Sequence, residues 1–186
     1  MNNQTINIKT QNSKLKTQNL CWFALYTKPR WEKKVCHILE EAGVTVFLPL
    51  MQTIRQWSDR KKKVSMPLIA SYVFVKSDKK DLNSLLKHNG VVGILKYLKK
   101  PAIVQDYEIE NLKIICQHPE AITADKNINI KEGTPVQITN GAMMGLYGEC
   151  VKIKGKHRLI VAVKNLGLEF VLDVPLTYIE VVKNKA

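Results

Sequence analysis

The sequence predicts an α+β domain followed by a small all-β domain. Strand and helix patterns alternate over residues 21–117, with a hairpin pattern in the middle. Five short strand patterns follow over residues 132–182, and glycine-containing turns separate most of them. The excess positive charge lies in the first part: residues 1–100 carry 19 Lys and Arg against 6 Asp and Glu, while residues 101–186 carry 10 of each. These observations indicate two units with different surfaces.

The first unit opens with a strand and a helix. The stretch "CWFALYTK", residues 21–28, is rich in aromatic residues, which favour strands. Apolar residues then recur at helical spacing from Val35 to Ala42. Pro29 near the start of this pattern and Gly43 at its end are typical of helix boundaries.

A hairpin with a charged tip comes next. Residues 44–57 have a strand-like pattern, in which Pro49 predicts a bulge or a sheet edge. The stretch "SDRKKK", residues 58–63, predicts a basic turn, and residues 64–76 predict the returning strand.

A helix, a strand and another helix complete the first unit. Residues 77–90 predict a helix that ends at a glycine, and residues 91–98 predict a strand. Residues 101–117 contain a helix that we expect Asp106 to cap. The order strand, helix, hairpin, helix, strand, helix fits a ferredoxin-like α/β sandwich better than a doubly wound sheet.

Two polar segments border the predicted domains. Residues 1–20 have no continuous apolar stretch, which predicts a disordered tail that is not a secretory signal. Residues 118–131 lack a periodic apolar face and predict a linker. The five strands over residues 132–182 then predict a small β-barrel.

The composition argues against several classes of protein. The longest apolar run is too short to cross a bilayer, so we expect no membrane association. The four cysteines form no CxxC pair and the four histidines are scattered, so we expect no metal, no cofactor and no enzyme activity. Reduced thiols in a cytoplasm are the default. The basic first half indicates a polyanionic partner, and a solvated lysine surface is the alternative.

The segment "MPLIASYVFVK", residues 66–76, contains nine consecutive apolar or small residues. In a strand, Tyr72 and Phe74 share one face, because side chains alternate. Val73 and Val75 then point to the other face. The face with the two aromatic residues either binds a partner or lies in a core beneath helices, and the pattern alone leaves both possibilities open.

The segment "GTPVQITNGAMMGLYGECVKI", residues 133–153, resembles the KOW motif. It has a strand, a tight turn with a glycine, and a second glycine before the next strand. Such glycines allow a positive φ or a close approach of two backbones. Family members often have Pro-Phe after the first glycine, where this chain has Ala142 and Met143. The residues that carry the resemblance are Val136, Ile138, Gly141, Gly148 and Val151.

Three blocks of the first unit are similar to the N-terminal domain of the NusG family. They are "WFALYTKPRWEKKV" for its opening strand and helix, "PLIASYVFVK" for its central strand, and "GVVGILKYLKKPAIVQDYEIENL" for its closing strand, proline turn and helix. The resemblance covers residues 21–182 in the order of the family. It implies a ferredoxin-like N-terminal domain and a small SH3-like KOW β-barrel.

Finer details resemble specialised members of this family. The stretches "LYTK", "FLPLMQTI", "YVFV" and "PAIV" are similar to RfaH-type sequences. The Lys- and Asn-rich composition resembles UpxY-type antiterminators of capsular polysaccharide operons. The resemblance therefore implies antitermination at specific operons.

The resemblance implies a transcription elongation and antitermination factor. Members of the family bind the clamp helices of bacterial RNA polymerase through an apolar pocket, and they suppress pausing. We expect this protein to act in the same way, as a cytoplasmic monomer. The pocket residues on this chain would be Tyr26, Ile69, Ala70, Tyr72, Phe74 and Ile94.

The resemblance also implies contact with non-template or upstream DNA. Lys and Arg bind phosphates, and an aromatic ring can stack on an exposed base. The alternatives are that Trp31 is partly buried against the hairpin and that the hairpin tip is a solvated turn. The candidate residues, around the first helix and at the tip, are Lys28, Arg30, Trp31, Lys33, Lys34, Arg60, Lys61, Lys62 and Lys63.

The KOW domain of relatives binds a ribosomal protein or a termination factor, which implies the same partners for residues 132–182. Strand-like patterning and several glycines in this segment oppose the helical refolding that RfaH undergoes. A ribosome-associated RNA-binding protein with a KOW barrel is a second class of function. Its barrel would be expected to be basic, whereas residues 101–186 are neutral.

Overall fold

The computed structural model describes most of the two predicted domains. The predicted tail up to residue 19, and residues 123–131 of the predicted linker, lie outside the described residues. The described ranges are 20–56, 60–122, 133–153, 156–163 and 166–182.

The described residues form three α-helices and fourteen strands. The helices are α1 (Glu32–Glu41), α2 (Leu82–Leu85) and α3 (Asp106–Gln117). The strands are β1 (Cys21–Thr27), β2 (Thr45–Phe47), β3 (Leu50–Gln56), β4 (Lys61–Pro67), β5 (Tyr72–Ser77), β6 (Val91–Ile94), β7 (Lys96–Tyr97), β8 (Lys100–Pro101), β9 (Ile103–Val104), β10 (Thr134–Ile138), β11 (Tyr147–Ile153), β12 (Lys156–Val163), β13 (Leu168–Asp173) and β14 (Ile179–Val181).

The N-terminal sheet is antiparallel and has the order β2-β5-β1-β6, with β9 also paired to β1. Side chains alternate between its faces, so Phe23 and Leu25 pack in the core with α1 and α2, while Ala24 packs on the other face with α3. Val73 and Val75 lie on the α1 face, as the alternation predicts. This mixed architecture confirms the predicted α+β class.

The predicted single strand over residues 44–57 is wrong in one respect, because it is two strands in two sheets. β2 belongs to the N-terminal sheet, whereas β3 pairs with β4 in a separate hairpin. The break falls at Pro49, which has no N–H to donate to a ladder. The returning segment also splits, into β4 and β5, and Leu68 between them donates its N–H to the Pro49 carbonyl at 2.8 Å. The predicted turn is shorter than expected, since Lys61 already begins β4.

Smaller corrections apply to the remaining elements of the first unit. α2 is a single turn within the predicted helix over residues 77–90. The predicted strand over residues 91–98 is interrupted after Ile94, since β7 pairs with β8 in its own hairpin. Asp106 is the first residue of α3 and not its cap. The cap is Gln105, whose N–H donates to the Glu108 carboxylate at 2.8 Å.

The C-terminal sheet is the β-rich second domain that the sequence predicts. Its five strands are antiparallel in the order β13-β12-β11-β10-β14. Val136 and Ile138 are buried in its core. A Cβ on Gly148 would collide with the backbone carbonyl oxygen of Ile160, so only glycine lets β11 approach β12 this closely.

Helix α3 is shared between the two cores. Leu112 packs in the core beside the N-terminal sheet, and Ile115 packs in the core of the C-terminal sheet. Asn111 lies between them and bonds to the backbone of Tyr147. Its amide nitrogen donates to the Tyr147 carbonyl at 2.7 Å, and its amide oxygen accepts from the Tyr147 N–H at 2.9 Å. Both bonds are buried, so α3 joins the domains by polar as well as apolar contacts.

Among the described residues, no helix is long and apolar enough to cross a membrane. The same residues contain no group of His, Cys, Asp and Glu placed to hold a metal ion.

Candidate functional site

Two tyrosines form the aromatic part of the predicted pocket that reaches solvent. Tyr26 in β1 and Tyr72 in β5 are direct cross-strand neighbours, so their side chains share a face of the N-terminal sheet. Their ring centroids are 5.5 Å apart and the rings meet edge to face at 63°. Tyr26 is 42% exposed and Tyr72 is half-buried. The pair therefore presents a preorganised aromatic surface to solvent.

Phe74 and Ile69 lie beneath this surface. Phe74 is fully buried, and its ring centroid is 6.1 Å from that of Phe47. Ile69 is also buried, in the same apolar cluster. That cluster includes Val163 of the C-terminal sheet, so the face with Phe74 is part of a core shared between the domains.

The remaining two pocket candidates differ in exposure and in the face they occupy. Ala70 is exposed, in the segment between β4 and β5. Ile94, which the family resemblance assigns to the pocket, pairs with Leu25 and packs against the core with α1 and α2, on the face opposite to Tyr72. Leu95, the next residue, packs in the cluster that contains Phe74.

A tight corner fixes the loops beside Tyr26 and Tyr72. The Trp31 N–H donates to the Lys28 carbonyl at 3.1 Å, with Pro29 between them and Arg30 at φ +65°, which defines a type II turn. Glycine is the usual residue at the position that Arg30 occupies.

The carboxylate of Glu32 holds the second loop of this corner. It is buried and accepts the N–H of Ser71 at 2.7 Å. Ser71 itself has φ +62°, and its carbonyl accepts the Thr27 N–H at 2.8 Å. Sequence reasoning missed Glu32, because an acidic residue in a first helical turn ordinarily faces solvent.

Trp31 is half-buried between lysines. The Lys34 ammonium lies 4.4 Å from the ring centroid and the Lys28 ammonium lies 5.4 Å from it, both within cation–π range. A Cβ on Gly90 would meet the ring at 2.5 Å, so Trp31 packs on the backbone of Gly90. The predicted packing partner was the hairpin, whereas this contact is with the residue before β6.

One hydrogen bond brings the two predicted basic patches together. Lys33 in α1 donates to the Ser65 carbonyl of β4 at 2.6 Å. Lys63 lies two residues from Ser65 on the same strand, and Lys61 to Lys63 are all exposed. Arg60 is also exposed. This bond brings α1 next to β4, and the exposed basic residues of α1 and of the β3–β4 hairpin are together called the basic surface.

The KOW-like residues lie along β10, the turn that follows it, and β11. Gly141 has φ +81°, and a Cβ there would meet the Tyr178 ring at 3.0 Å. Val151 in β11 is half-buried. Met144 and Tyr178 are 65% and 40% exposed, so apolar side chains near the turn face solvent.

The cysteines are poorly suited to nucleophilic chemistry. Burial, together with a hydrogen bond to Glu40 and its charge, raises the pKa of Cys36 to about 12. Burial raises the pKa of Cys116 to about 11 and also raises that of Cys150. These three thiols are therefore protonated at neutral pH, and the thiolate is the reactive form.

The small β7–β8 hairpin is a feature that sequence reasoning left out of the site. Five consecutive residues, 96–100, are exposed, and Tyr97 and Leu98 are 62% and 78% exposed. Leu98 and Lys99 have φ +48° and +65°, which defines a two-residue type I′ turn without its usual Asn or Gly. The sequence signal was present, since "KYLKK" combines an aromatic residue with three lysines.

Comparison with known proteins identifies the class of protein. The family model described as "Transcription termination factor nusG" matches residues 20–113, which is half of the chain. The chain therefore belongs to the NusG family of transcription factors. A search of curated proteins gave no match.

Among solved structures, the fold resembles that of NusG from Thermotoga maritima, described under "Domain interaction in Thermotoga maritima NusG". The identity is 20%, the match covers 88% of this chain and 98% of that one, and the TM-score is 0.45. Conformation A of the MjSpt4:Spt5 complex matches with 21% identity, coverage of 87% and 97%, and a TM-score of 0.30.

Proposed function

We propose that this protein is an elongation and antitermination factor that binds bacterial RNA polymerase through its N-terminal domain. It suppresses pausing or termination at specific operons, such as those for surface polysaccharides. The clamp helices of the polymerase are the partner of the N-terminal sheet. Exposed non-template or upstream DNA is the partner of the basic surface.

The observation that carries this proposal is the pair Tyr26 and Tyr72 on the N-terminal sheet of a NusG-family domain. Their edge-to-face packing at 5.5 Å and the buried Phe74 beneath them hold two large rings at a partly open face. Rigid aromatic side chains supply much of the binding energy when an apolar helix docks. The chain belongs to a family of transcription factors that work with RNA polymerase, so a helix of the polymerase is the proposed partner.

The C-terminal sheet limits how much of this face a partner can reach. Val163 shares the cluster of Phe74, and Leu168 and Phe170 pack against that cluster. In this arrangement a partner can reach Tyr26, Tyr72 and Ala70, and Phe74 is buried beneath them. A polymerase contact with Phe74 itself would require the C-terminal sheet to move away.

The basic surface supports DNA as the second partner. Trp31 between two lysines, the lysines of α1 and the exposed lysines of β4 form this surface. Phosphate contacts by these residues position the nucleic acid and make its affinity depend on salt. They do not select a sequence, so operon specificity would come from other contacts.

The exposed apolar residues near Gly141 support a protein partner for the C-terminal sheet. Met144 and Tyr178 are exposed, although burial would favour both side chains. A ribosomal protein or a termination factor would bind here. A ribosome-associated RNA-binding protein remains the alternative, and the neutral charge of residues 101–186 disfavours it.

The test is a pull-down of the full chain against bacterial RNA polymerase core. We expect the wild type to bind, and we expect Tyr26→Ala with Tyr72→Ala to lose binding in a chain that stays folded, which its thermal unfolding transition checks. Phe74→Ala is unsuitable, because emptying that buried site would cost about 3–5 kcal/mol of folding stability. Tyr178→Ala is the matched control. Binding that survives the double substitution would exclude the tyrosine pair, and ribosomes in place of polymerase would favour the alternative.

Specificity is tested separately in the cell. Deletion of the gene should reduce transcription of promoter-distal genes in long surface-polysaccharide operons. A uniform change across all operons would instead indicate a general elongation factor.

A further inference from the structure

The β7–β8 hairpin projects from the edge of the N-terminal sheet. β6 and β9 pair with successive parts of β1, at Leu25 to Thr27 and at Trp22 to Phe23. The chain leaves this edge after Leu95, whose N–H donates to the Ala24 carbonyl at 2.9 Å, and returns at Ala102. The hairpin is thus an excursion of six residues between two anchored strands. Its residues 96–100 are all exposed, so they add little to the core.

The composition of this hairpin is that of a nucleic-acid contact. Tyr97 is 62% exposed and lies among Lys96, Lys99 and Lys100. No acidic residue occurs between Asp81 and Asp106. Among the described residues, the structure gives these three lysines no ion pair. Unbalanced positive charge around an exposed ring is complementary to phosphates that flank an unstacked base.

The backbone conformation of the turn also indicates a functional role. Leu98 and Lys99 hold the left-handed conformation that Asn-Gly would adopt without strain. Such strain persists where function requires particular side chains. The turn keeps a lysine and a large apolar residue at a tip that stabilises no core.

We propose that the β7–β8 hairpin is a contact site for single-stranded nucleic acid. Tyr97 stacks on an unpaired base, and the three lysines neutralise the adjacent phosphates. The site is separate from the basic surface of α1 and the β3–β4 hairpin. Gly90 packs against Trp31, and Tyr97 is the seventh residue after Gly90. Even a fully extended chain would therefore put Gly90 and Tyr97 at most about 23 Å apart. One strand of nucleic acid can therefore reach both aromatic residues.

The experiment measures binding of the full chain to a fluorescent single-stranded DNA of about 20 nucleotides, which exceeds the usual site of one small domain. The same sequence as RNA and as duplex DNA forms the other arms. We expect Tyr97→Ala to weaken single-strand binding by about 5- to 150-fold, the range for loss of one stacked base. Tyr97→Phe should retain the affinity, because phenylalanine also stacks. Comparison of the DNA and RNA arms identifies which single strand is preferred.

The lysines are tested by the salt dependence. Lys96→Gln with Lys99→Gln and Lys100→Gln should reduce the slope of log affinity against log salt by up to about 2 for single strands. Lys79→Gln with Lys80→Gln, also at exposed positions, is the control for a general change of charge.

Two results would overturn the inference. The first is wild-type affinity of Tyr97→Ala for both single strands. The second is an equal loss on single strands and duplex, because stacking requires an unpaired base. A polymerase pull-down in parallel separates this inference from the proposed function. If Tyr97→Ala loses polymerase binding but keeps single-strand binding, the hairpin is a protein contact. If the wild type binds single strands through Tyr97 but does not bind polymerase, this inference holds and the proposed function fails.

Discussion

The two domains build their tight turns from different residues. Among the described residues of the C-terminal domain, every position with a left-handed backbone is a glycine: Gly141, Gly145 and Gly167. In the N-terminal domain, four such positions carry side chains: Arg30, Ser71, Leu98 and Lys99. A side chain in this conformation costs about 1–2 kcal/mol, which glycine avoids.

The difference follows the distribution of charge. Residues 1–100 hold the whole positive excess of the chain, and residues 101–186 are neutral. Arg30 and Lys99 place basic side chains on exposed turns at the expense of stability. These two turns of the N-terminal domain therefore have a charged side chain at the cost of backbone strain, whereas the glycines of the C-terminal turns carry no such strain. The proposed nucleic-acid contacts all lie in the first domain, where this positive charge is found.

The strongest test of the comparison is to separate the two domains. Asn111→Ala removes both hydrogen bonds to the Tyr147 backbone. At about 1–3 kcal/mol for each of the two buried groups left unpaired, the free energy of unfolding should fall by roughly 2–6 kcal/mol. Urea denaturation measures this change and should resolve two transitions. Gln137→Ala is the control, since its side chain makes one exposed hydrogen bond, to Gly145. Equal stability of the two variants would mean that α3 does not couple the domains.

A smaller loss is expected inside the C-terminal sheet. Gly148→Ala forces a Cβ against the Ile160 carbonyl, and overpacking of this kind costs about 1–3 kcal/mol. Gly93→Ala in β6 is the matched control, because nothing lies within 4 Å of its Cβ position. Thermal unfolding of the two variants measures the difference. An unchanged midpoint for Gly148→Ala would show that β11 and β12 can separate without cost.

The N-terminal domain should respond in the opposite direction. Arg30→Gly relieves the strained turn but gives the unfolded chain more freedom, so we expect a net gain of about 0.5–1 kcal/mol. The same change should lower the salt slope for duplex DNA by about 0.9, the loss of one phosphate contact. Arg30→Lys keeps both the strain and the charge and is the control. A loss of stability on Arg30→Gly would contradict the assignment of strain to this turn.

The sequence predicted the elements of the fold better than the contacts between them. Alternation along β1 and β5 assigned Val73, Val75, Tyr72 and Phe74 to the correct faces. Ile94 was assigned to the pocket by the family resemblance alone, and its pairing with Leu25 puts it on the face opposite to Tyr26.

The contacts between distant segments carry no local signal. The pattern at Phe74 establishes an apolar face but not that Val163, far along the chain, belongs to the same cluster. The burial of Glu32 depends on an N–H at Ser71, 39 residues away. Asn111 likewise meets Tyr147 only after both domains have folded.

The last prediction concerns the pH dependence of stability, which follows from buried cysteines in both domains. Burial raises the thiol pKa of Cys36 in the first domain and of Cys150 in the second. The pKa of Cys36 in the folded protein, about 12, lies above the ordinary thiol value of 9.0. Folding therefore favours the protonated thiol, and the contribution is fully present below pH 9 and is lost as the pH rises toward 12.

This pH dependence is measured by difference. The stability of the wild type should fall more steeply than that of Cys36→Ser between the two pKa values, and alkylation of Cys36 should be slow in the folded chain. Denaturation curves at several pH values, compared between the two proteins, isolate the contribution of the thiol. Parallel curves would mean that Cys36 titrates normally.

The sharing of one core between Leu112 and Val163 has a consequence for synthesis on the ribosome. The first domain can fold as soon as α3 has emerged, but its outer face is completed by a strand about 50 residues further along. At roughly 5–20 residues per second, that face remains bare for roughly 3–10 seconds in each new chain. During this interval the nascent protein offers its aromatic residues to any helix nearby, before its own second domain can cover them.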